Sequence, residues 1–292
     1  MSVATFLSNA PWTDRAGRVS WLKLACFLAC IAPAIWMAWL WYGGYPHPNP
    51  IRGLIRDTGD WAMRFLAASL AVTPLRYLTR WNRLILVRRM LGLTGLFYTL
   101  AHLAIYIVDR QFNLPYMLLE IFWRIYISAG WAATIIFILM GVTSNDWGIR
   151  RWGAIEWNRL HAWAYPAALL SLLHMFILIR FDAFEAVLIL GLVCFAIGFR
   201  LMRGRGVQNH PLKLLMLGAG LALAVALFEA FFYKWATRAP LDVVLKANFD
   251  FSYQVRPAWY LLAASVVFAA AAYARDRLNF AKSSRRVARS PA

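Results

Sequence analysis

The sequence predicts an all-α fold, a polytopic membrane helix bundle of six spans followed by an added C-terminal pair, and three observations carry that reading. Of 292 residues, 62% are hydrophobic and only 15% are charged, against roughly 45–50% apolar and 25% charged in an average soluble domain. The apolar residues are gathered into runs of about 20, the length that crosses a hydrocarbon core as a helix. The loops between the runs are short, and basic residues collect on alternate loops.

Eight spans are expected, near residues 22–42, 61–78, 90–108, 121–142, 160–179, 184–201, 213–235 and 257–274. Backbone polar groups find no water inside lipid, so each span is expected to be helical. The first follows Arg15, Arg18 and Lys23. Its apolar stretch is longer than the apolar region of a secretion signal, and Gly43-Gly44-Tyr45-Pro46 offers no small-residue cleavage pattern, so it reads as an uncleaved span. A composition shift at Arg200 to Lys213 separates the first six spans from the last pair. The organisation expected is therefore a cytoplasmic segment over 1–20, a six-helix domain over 21–202, an additional two-helix segment over 203–275 and a basic, disordered cytoplasmic tail over 276–292.

The formal net charge is +18, but its placement argues for a membrane rather than for nucleic acid. With loops assigned alternately to two sides, the side of the N-terminus collects 21 of the 31 basic residues, among them Arg76, Arg80, Arg83, Arg88, Arg89, Arg150, Arg151 and Arg159. By the positive-inside rule both termini are expected in the cytoplasm, as an even number of spans requires. Nucleic-acid binding is disfavoured because these bases flank span ends without interleaved exposed aromatics. Many of the 15 tryptophans, such as Trp36, Trp39, Trp147 and Trp157, stand near span ends, where interfacial anchoring accounts for them. Cys26, Cys30 and Cys194 fall inside spans and read as small hydrophobes, with no CxxC pattern. No GxGxxG, P-loop or HExxH motif is present.

Chemistry must then come from polar side chains inside the spans, which are costly there. His47 and His210 lie in loops, leaving His102, His161 and His174. At about 1.5 Å per residue His102 lies roughly 20 Å along its helix from Arg89, and His174 roughly 20 Å from His161, so the two deeper histidines reach matching depth. Two imidazoles at one depth on neighbouring helices suit the two axial positions of a haem. Gly92, Gly95 and Thr99 share the stripe of His102, and Ala167 and Ser171 that of His174, which would admit a wide flat ring. The plainer reading is a histidine hydrogen-bonded to a neighbouring helix. Catalytic zinc would want a third ligand at that depth, and the sequence places none there. His161 is rotated away on an ideal helix, although Pro166 could change the angle. It reads either as an interfacial histidine or as a partner for a second, inner redox group. Arg88 and Arg89 at the same depth could pair with haem propionates, a flavin phosphate or lipid phosphates.

A run of short motifs carries a family resemblance. Thr58-Gly59, Thr73-Pro74-Leu75-Arg76, Arg88-Arg89-Met90-Leu91-Gly92-Leu93, His102 with Tyr106, Arg124-Ile125-Tyr126, Thr143-Ser144 and Trp157-Asn158-Arg159-Leu160-His161 followed by His174 resemble, in order and spacing, the haem-binding membrane subunit of the periplasmic methionine sulfoxide reductase system (MsrQ, YedZ). The likeness covers about residues 20–200, the six-span ferric-reductase-like core. It implies a b-type haem protein of the bacterial inner membrane, at least one haem, and electrons taken from quinol or a cytosolic flavin reductase. The acceptor it implies is a periplasmic molybdopterin enzyme that reduces methionine sulfoxide. The family is also described as binding FMN. Its histidines carry over onto His102, His161 and His174, with His102 and His174 the iron ligands, and Arg88 and Arg89 stand with His161 as candidates on the electron-entry side. Departures exist: the family's Arg-Pro-Tyr is Arg124-Ile125-Tyr126 here, Arg88 stands where related oxidases have a second histidine, and the last two spans have no counterpart. That pair holds one intramembrane acid, Glu229, for which a proton or quinone role or a plain pairing with Lys234 or Arg64 is open.

The chain is thus expected to be an electron-transfer subunit rather than a stand-alone enzyme. Two alternatives stay open. A ferric or other metal reductase would need an outer metal surface, for which only His47, Asp57, Asp60, Asp242 and Asp250 are on offer. A transporter should show repeat symmetry and discontinuous spans.

Overall fold

The computed structural model describes residues 10–14, 16–179, 181–207 and 210–287, and these are helical almost throughout. Eleven α-helices stand among the described residues: α1 (Trp21–Gly43), α2 (Pro50–Thr79), α3 (Ile85–Asp109), α4 (Leu114–Trp123), α5 (Ile125–Val142), α6 (Asp146–His161), α7 (Ala164–Leu178), α8 (Phe184–Gly204), α9 (Pro211–Thr237), α10 (Leu241–Ala247) and α11 (Pro257–Val287). A single β-bridge, Thr13 to Val19, precedes them. Large apolar side chains such as Leu28, Ile35, Phe97, Ile135, Leu139 and Val267 are exposed, as lipid contact requires of a span.

Among the described residues, seven segments are long and apolar enough to cross a membrane, with α6 and α7 counted as one. The expected span at 61–78 lies in α2, which has length to spare at 30 residues but does not meet the same test of composition. Arg52, Arg56, Asp57, Asp60, Arg64 and Arg76 dilute its apolar character. The expected span 121–142 breaks at Arg124, whose extended backbone (φ −125°, ψ 100°) ends α4 and starts α5. Near the expected kink at Pro166 the helix is interrupted by a two-residue turn, Ala162 and Trp163, where the proline offers no N–H to the preceding turn. The expected disordered tail carries helical backbone through Val287, and residues 288–292 lie outside the described residues.

Contacts divide the chain into two compact units, one made of residues 1–72 and 82–175 and the other of 73–81 and 176–292. In the first, Cys30 and Met37 of α1, Ala62 and Phe65 of α2 and Tyr98 of α3 form a buried cluster. Tyr98 donates its hydroxyl to the Cys30 carbonyl at 3.0 Å, so a buried phenol is satisfied without water. Gly95 lets the α2 backbone approach: a Cβ there would lie 3.4 Å from Ala62 O and from Leu66 N. A Cβ at Gly92 would lie 3.3 Å from Ser69 Oγ. The small-residue stripe of α3 therefore serves helix packing, which corrects its expected role as room for a flat ring.

In the second unit α8 packs with α9 and α11, again through small residues. A Cβ on Gly191 would collide with Leu261 Cδ1, one on Gly198 would meet Leu217 Cδ1 at 2.7 Å, and one on Gly218 would collide with Ser265 Cβ. Glu229 is fully buried, and its Oε1 pairs with Arg256 Nη1 at 3.3 Å. The partner is Arg256 rather than Lys234 or Arg64. Removing one member of a buried pair leaves a charge that neither water nor protein compensates. Arg256→Ala is expected to destabilise this unit by about 3 kcal/mol, read as a fall in melting temperature in detergent, with Glu229→Gln milder.

Candidate cofactor site

The site grows from four helices of the first unit. α3 carries His102 and α7 carries His174, and each imidazole is seated on a different helix from its own. His102 Nδ1 lies 2.7 Å from the Ile55 carbonyl of α2. His174 Nδ1 lies 2.7 Å from the Tyr126 carbonyl of α5. A carbonyl can only accept, so each ring is held as the Nδ1–H tautomer with its Nε2 lone pair left over for a metal. This is the orienting bond that metal-ligating histidines make through their second nitrogen.

Both seats have the same local design. Four residues after each accepting carbonyl, on the same face of the helix, stands a glycine: Gly59 follows Ile55, and Gly130 follows Tyr126. A Cβ at Gly59 would lie 3.0 Å from His102 Nδ1 and 3.2 Å from its Cε1. At Gly130 it would lie 3.0 Å from His174 Nδ1 and 3.3 Å from its Cε1. The missing side chain lets each ring lie down on the neighbouring helix. Thr58 keeps the α2 seat regular by giving its hydroxyl to Leu54 O at 2.7 Å and Ile55 O at 2.9 Å.

The two rings lie edge to face with centres 6.2 Å apart and planes at 86°. A metal–imidazole bond of about 2.0 Å on each side, plus roughly 1.1 Å from nitrogen to ring centre, sets two opposed axial imidazoles about 6 Å apart. The observed spacing would leave room for one metal ion held between the two rings. Among the described residues no three His, Cys, Asp or Glu side chains converge on a metal position, so the pair stands as a two-nitrogen donor set.

The other expected site residues lie apart from this pair. His161 stacks on Trp157, ring centres 3.7 Å apart and 20° between planes, with Nδ1 2.9 Å from Trp157 O and Nε2 3.0 Å from Ser144 Oγ. Both its nitrogens thus have protein partners. Arg89 pairs with Asp146 at 3.3 Å. Arg88 accepts at its backbone carbonyl from Ser69 Oγ at 3.2 Å. Sequence reasoning missed the seats, Ile55 with Gly59 and Tyr126 with Gly130; an Xaa-3-Xaa-Gly spacing inside a span, opposite a histidine helix, is the signal that could have found them.

Residues 58–172 match the family described as ferric reductase like transmembrane component. The chain is 37% identical over 190 residues to the protein-methionine-sulfoxide reductase heme-binding subunit MsrQ of Rhodospirillum rubrum, covering 65% of this chain and 89% of that protein. The chain belongs to the MsrQ family. Further MsrQ proteins match at 38% identity: that of Xanthomonas euvesicatoria pv. vesicatoria over 183 residues, 61% of this chain and 84% of its own, and that of Polaromonas naphthalenivorans over 167 residues, 55% and 76%. No solved structure matches the chain. The ferric-reductase match begins one residue before Gly59 and includes His102, Tyr126, Gly130 and His161. Ile55 and His174 lie just outside that match, as do α8 to α11.

Proposed function

We propose that this chain is the b-type haem subunit of a membrane electron-transfer system, with His102 and His174 as the axial ligands of one haem. The observation that carries the reading is the matched pair of seats: two rings, each oriented by a 2.7 Å bond from Nδ1, with centres 6.2 Å apart. When bound, the haem supplies a one-electron redox change at its iron. The chain's own residues do the rest. The Ile55 and Tyr126 carbonyls fix the tautomer and raise the basicity of each imidazole, and Gly59 and Gly130 allow the rings their close seats.

The relatives are named as heme-binding subunits of a protein-methionine-sulfoxide reductase, which supports an acceptor of that class. The acceptor proposed is a periplasmic molybdopterin methionine sulfoxide reductase, and the donor is quinol or a cytosolic flavin reductase. Arg88 and Arg89 near the start of α3, and His161 at the end of α6, stand on the electron-entry side. In this reading α2 also crosses the bacterial inner membrane, which places both termini in the cytoplasm. FMN is carried by family resemblance alone, with no residue assigned to it.

The test is optical. Chain purified from membranes is expected to show a dithionite-reducible, low-spin bis-imidazole spectrum and a pyridine haemochrome of haem b. A preparation that binds no haem when expressed with ample haem supply would end the proposal.

A further inference from the structure

Beyond the histidines and their seats, the first unit buries one carboxylate that the site description has not used. Glu120, on α4, has a side chain only 4% exposed. Its Oε1 lies 3.1 Å from Arg110 Nη2 and 3.3 Å from Arg124 Nη1. Its Oε2 accepts from the Tyr106 hydroxyl. Arg110 caps α3, and its guanidinium lies over the rings of Tyr106 at 5.2 Å and Tyr116 at 5.7 Å. Arg124 is the junction residue between α4 and α5 and also donates to the Tyr126 hydroxyl at 2.8 Å.

These partners are placed with respect to the two ligands. Tyr106 is one turn beyond His102 on α3, so it shares that helix face. Arg124 stands two residues before Tyr126, whose carbonyl holds His174. One carboxylate therefore joins the end of the helix that bears His102 to the start of the helix that orients His174. The carboxylate is buried while Arg110 and Arg124 are 28% and 42% exposed, so the two guanidiniums meet it from the solvent side and solvent screens part of the attraction. Two guanidiniums on one carboxylate leave a local charge of +1.

The geometry points to Glu120 as a positioning residue for the haem pair: it sets the spacing between the α3 and α5 segments and, through Arg124, the direction of the Tyr126 carbonyl that orients His174. This rests on the haem reading above. Glu120→Gln keeps the size of the side chain and removes the charge that holds both arginines, so the two segments lose their tie. Two consequences run in one direction. The cluster becomes more positive, which favours the reduced iron, and a weaker bond at His174 Nδ1 makes that imidazole less basic, which does the same.

The experiment is a redox titration of haem absorbance with low-temperature EPR on the detergent-purified full chain. Glu120→Gln is expected to raise the midpoint potential and convert part of the low-spin haem to high-spin. Glu120→Asp, which keeps the charge, should recover part of the difference. Glu156→Gln removes an exposed charge paired with Arg159 and should leave potential and spectrum at the wild-type values. Should Glu120→Gln fail to accumulate, Arg124→Lys keeps the charge but loses the guanidinium that reaches both Glu120 and Tyr126, and a smaller rise is expected. Wild-type potential and spin state in Glu120→Gln, or in Arg124→Lys where that variant stands in, would overturn the assignment. A wild-type chain without a bis-imidazole spectrum would instead overturn the haem reading on which it rests.

Discussion

His102→Ala and His174→Ala are each expected to abolish the low-spin bis-imidazole spectrum. The expectation follows from the donor set. Among the described residues no third His, Cys, Asp or Glu joins the pair, so no neighbour can take over a lost axial position. His161, one helix break away, is held between Ser144 Oγ and Trp157 O. Each alanine variant therefore leaves one imidazole and a cavity the size of a ring. Haem content should fall severalfold, and any haem retained should be high-spin. Millimolar free imidazole should restore part of the low-spin signal by filling the cavity. An undiminished low-spin spectrum in both variants would remove the pair as ligands.

The second large effect is expected at residues that carry no reactive group. Gly59→Val and Gly130→Val each place branched carbon where a Cβ alone would already lie 3.0 Å from a ring nitrogen. Neither ring can retreat without lengthening its 2.7 Å bond to the carbonyl four residues earlier. Overpacking of this kind costs about 1–3 kcal/mol, which is about fivefold to 150-fold in affinity. Haem content measured by pyridine haemochrome should fall accordingly. Alanine at the same positions needs a shift of only a few tenths of an ångström and should retain most of the haem. Valine variants with wild-type haem content would show that the seats do not govern ring placement.

How much of this was legible in the sequence varies element by element. Long uninterrupted apolar runs made α1, α3, α8 and α9 readable nearly to their ends, since a single property, hydrocarbon length, decides them. α2 was the hardest span because charges at Arg56, Asp57, Asp60 and Arg64 compete with its apolar half. The short helices α4, α6 and α10 fell outside the reading, because they are too short or too polar for a rule built on spanning length. The meeting of His102 and His174 followed from rise per residue and the common direction of two helices. The faces did not follow: small residues beside a histidine look alike whether they admit a flat ring or a neighbouring helix, and Gly92 and Gly95 turned out to admit α2. Gly59 stood in a quoted motif, but its purpose needs the knowledge that α2 lies against α3. Arg256 as the partner of Glu229 is 27 positions away along the chain, and helical periodicity says nothing across such a distance.

Each ring rests on a helix other than the one that bears it, and the order of those helices along the chain has a consequence for biogenesis. A ribosome feeding the membrane releases α2, α3 and α5 before α7, so the first seat, its histidine and the second seat are all inserted while the last imidazole is still awaited. If the pair holds haem as proposed, two-sided capture waits for α7, and a nascent chain arrested before residue 164 would display a half-built clasp with one jaw.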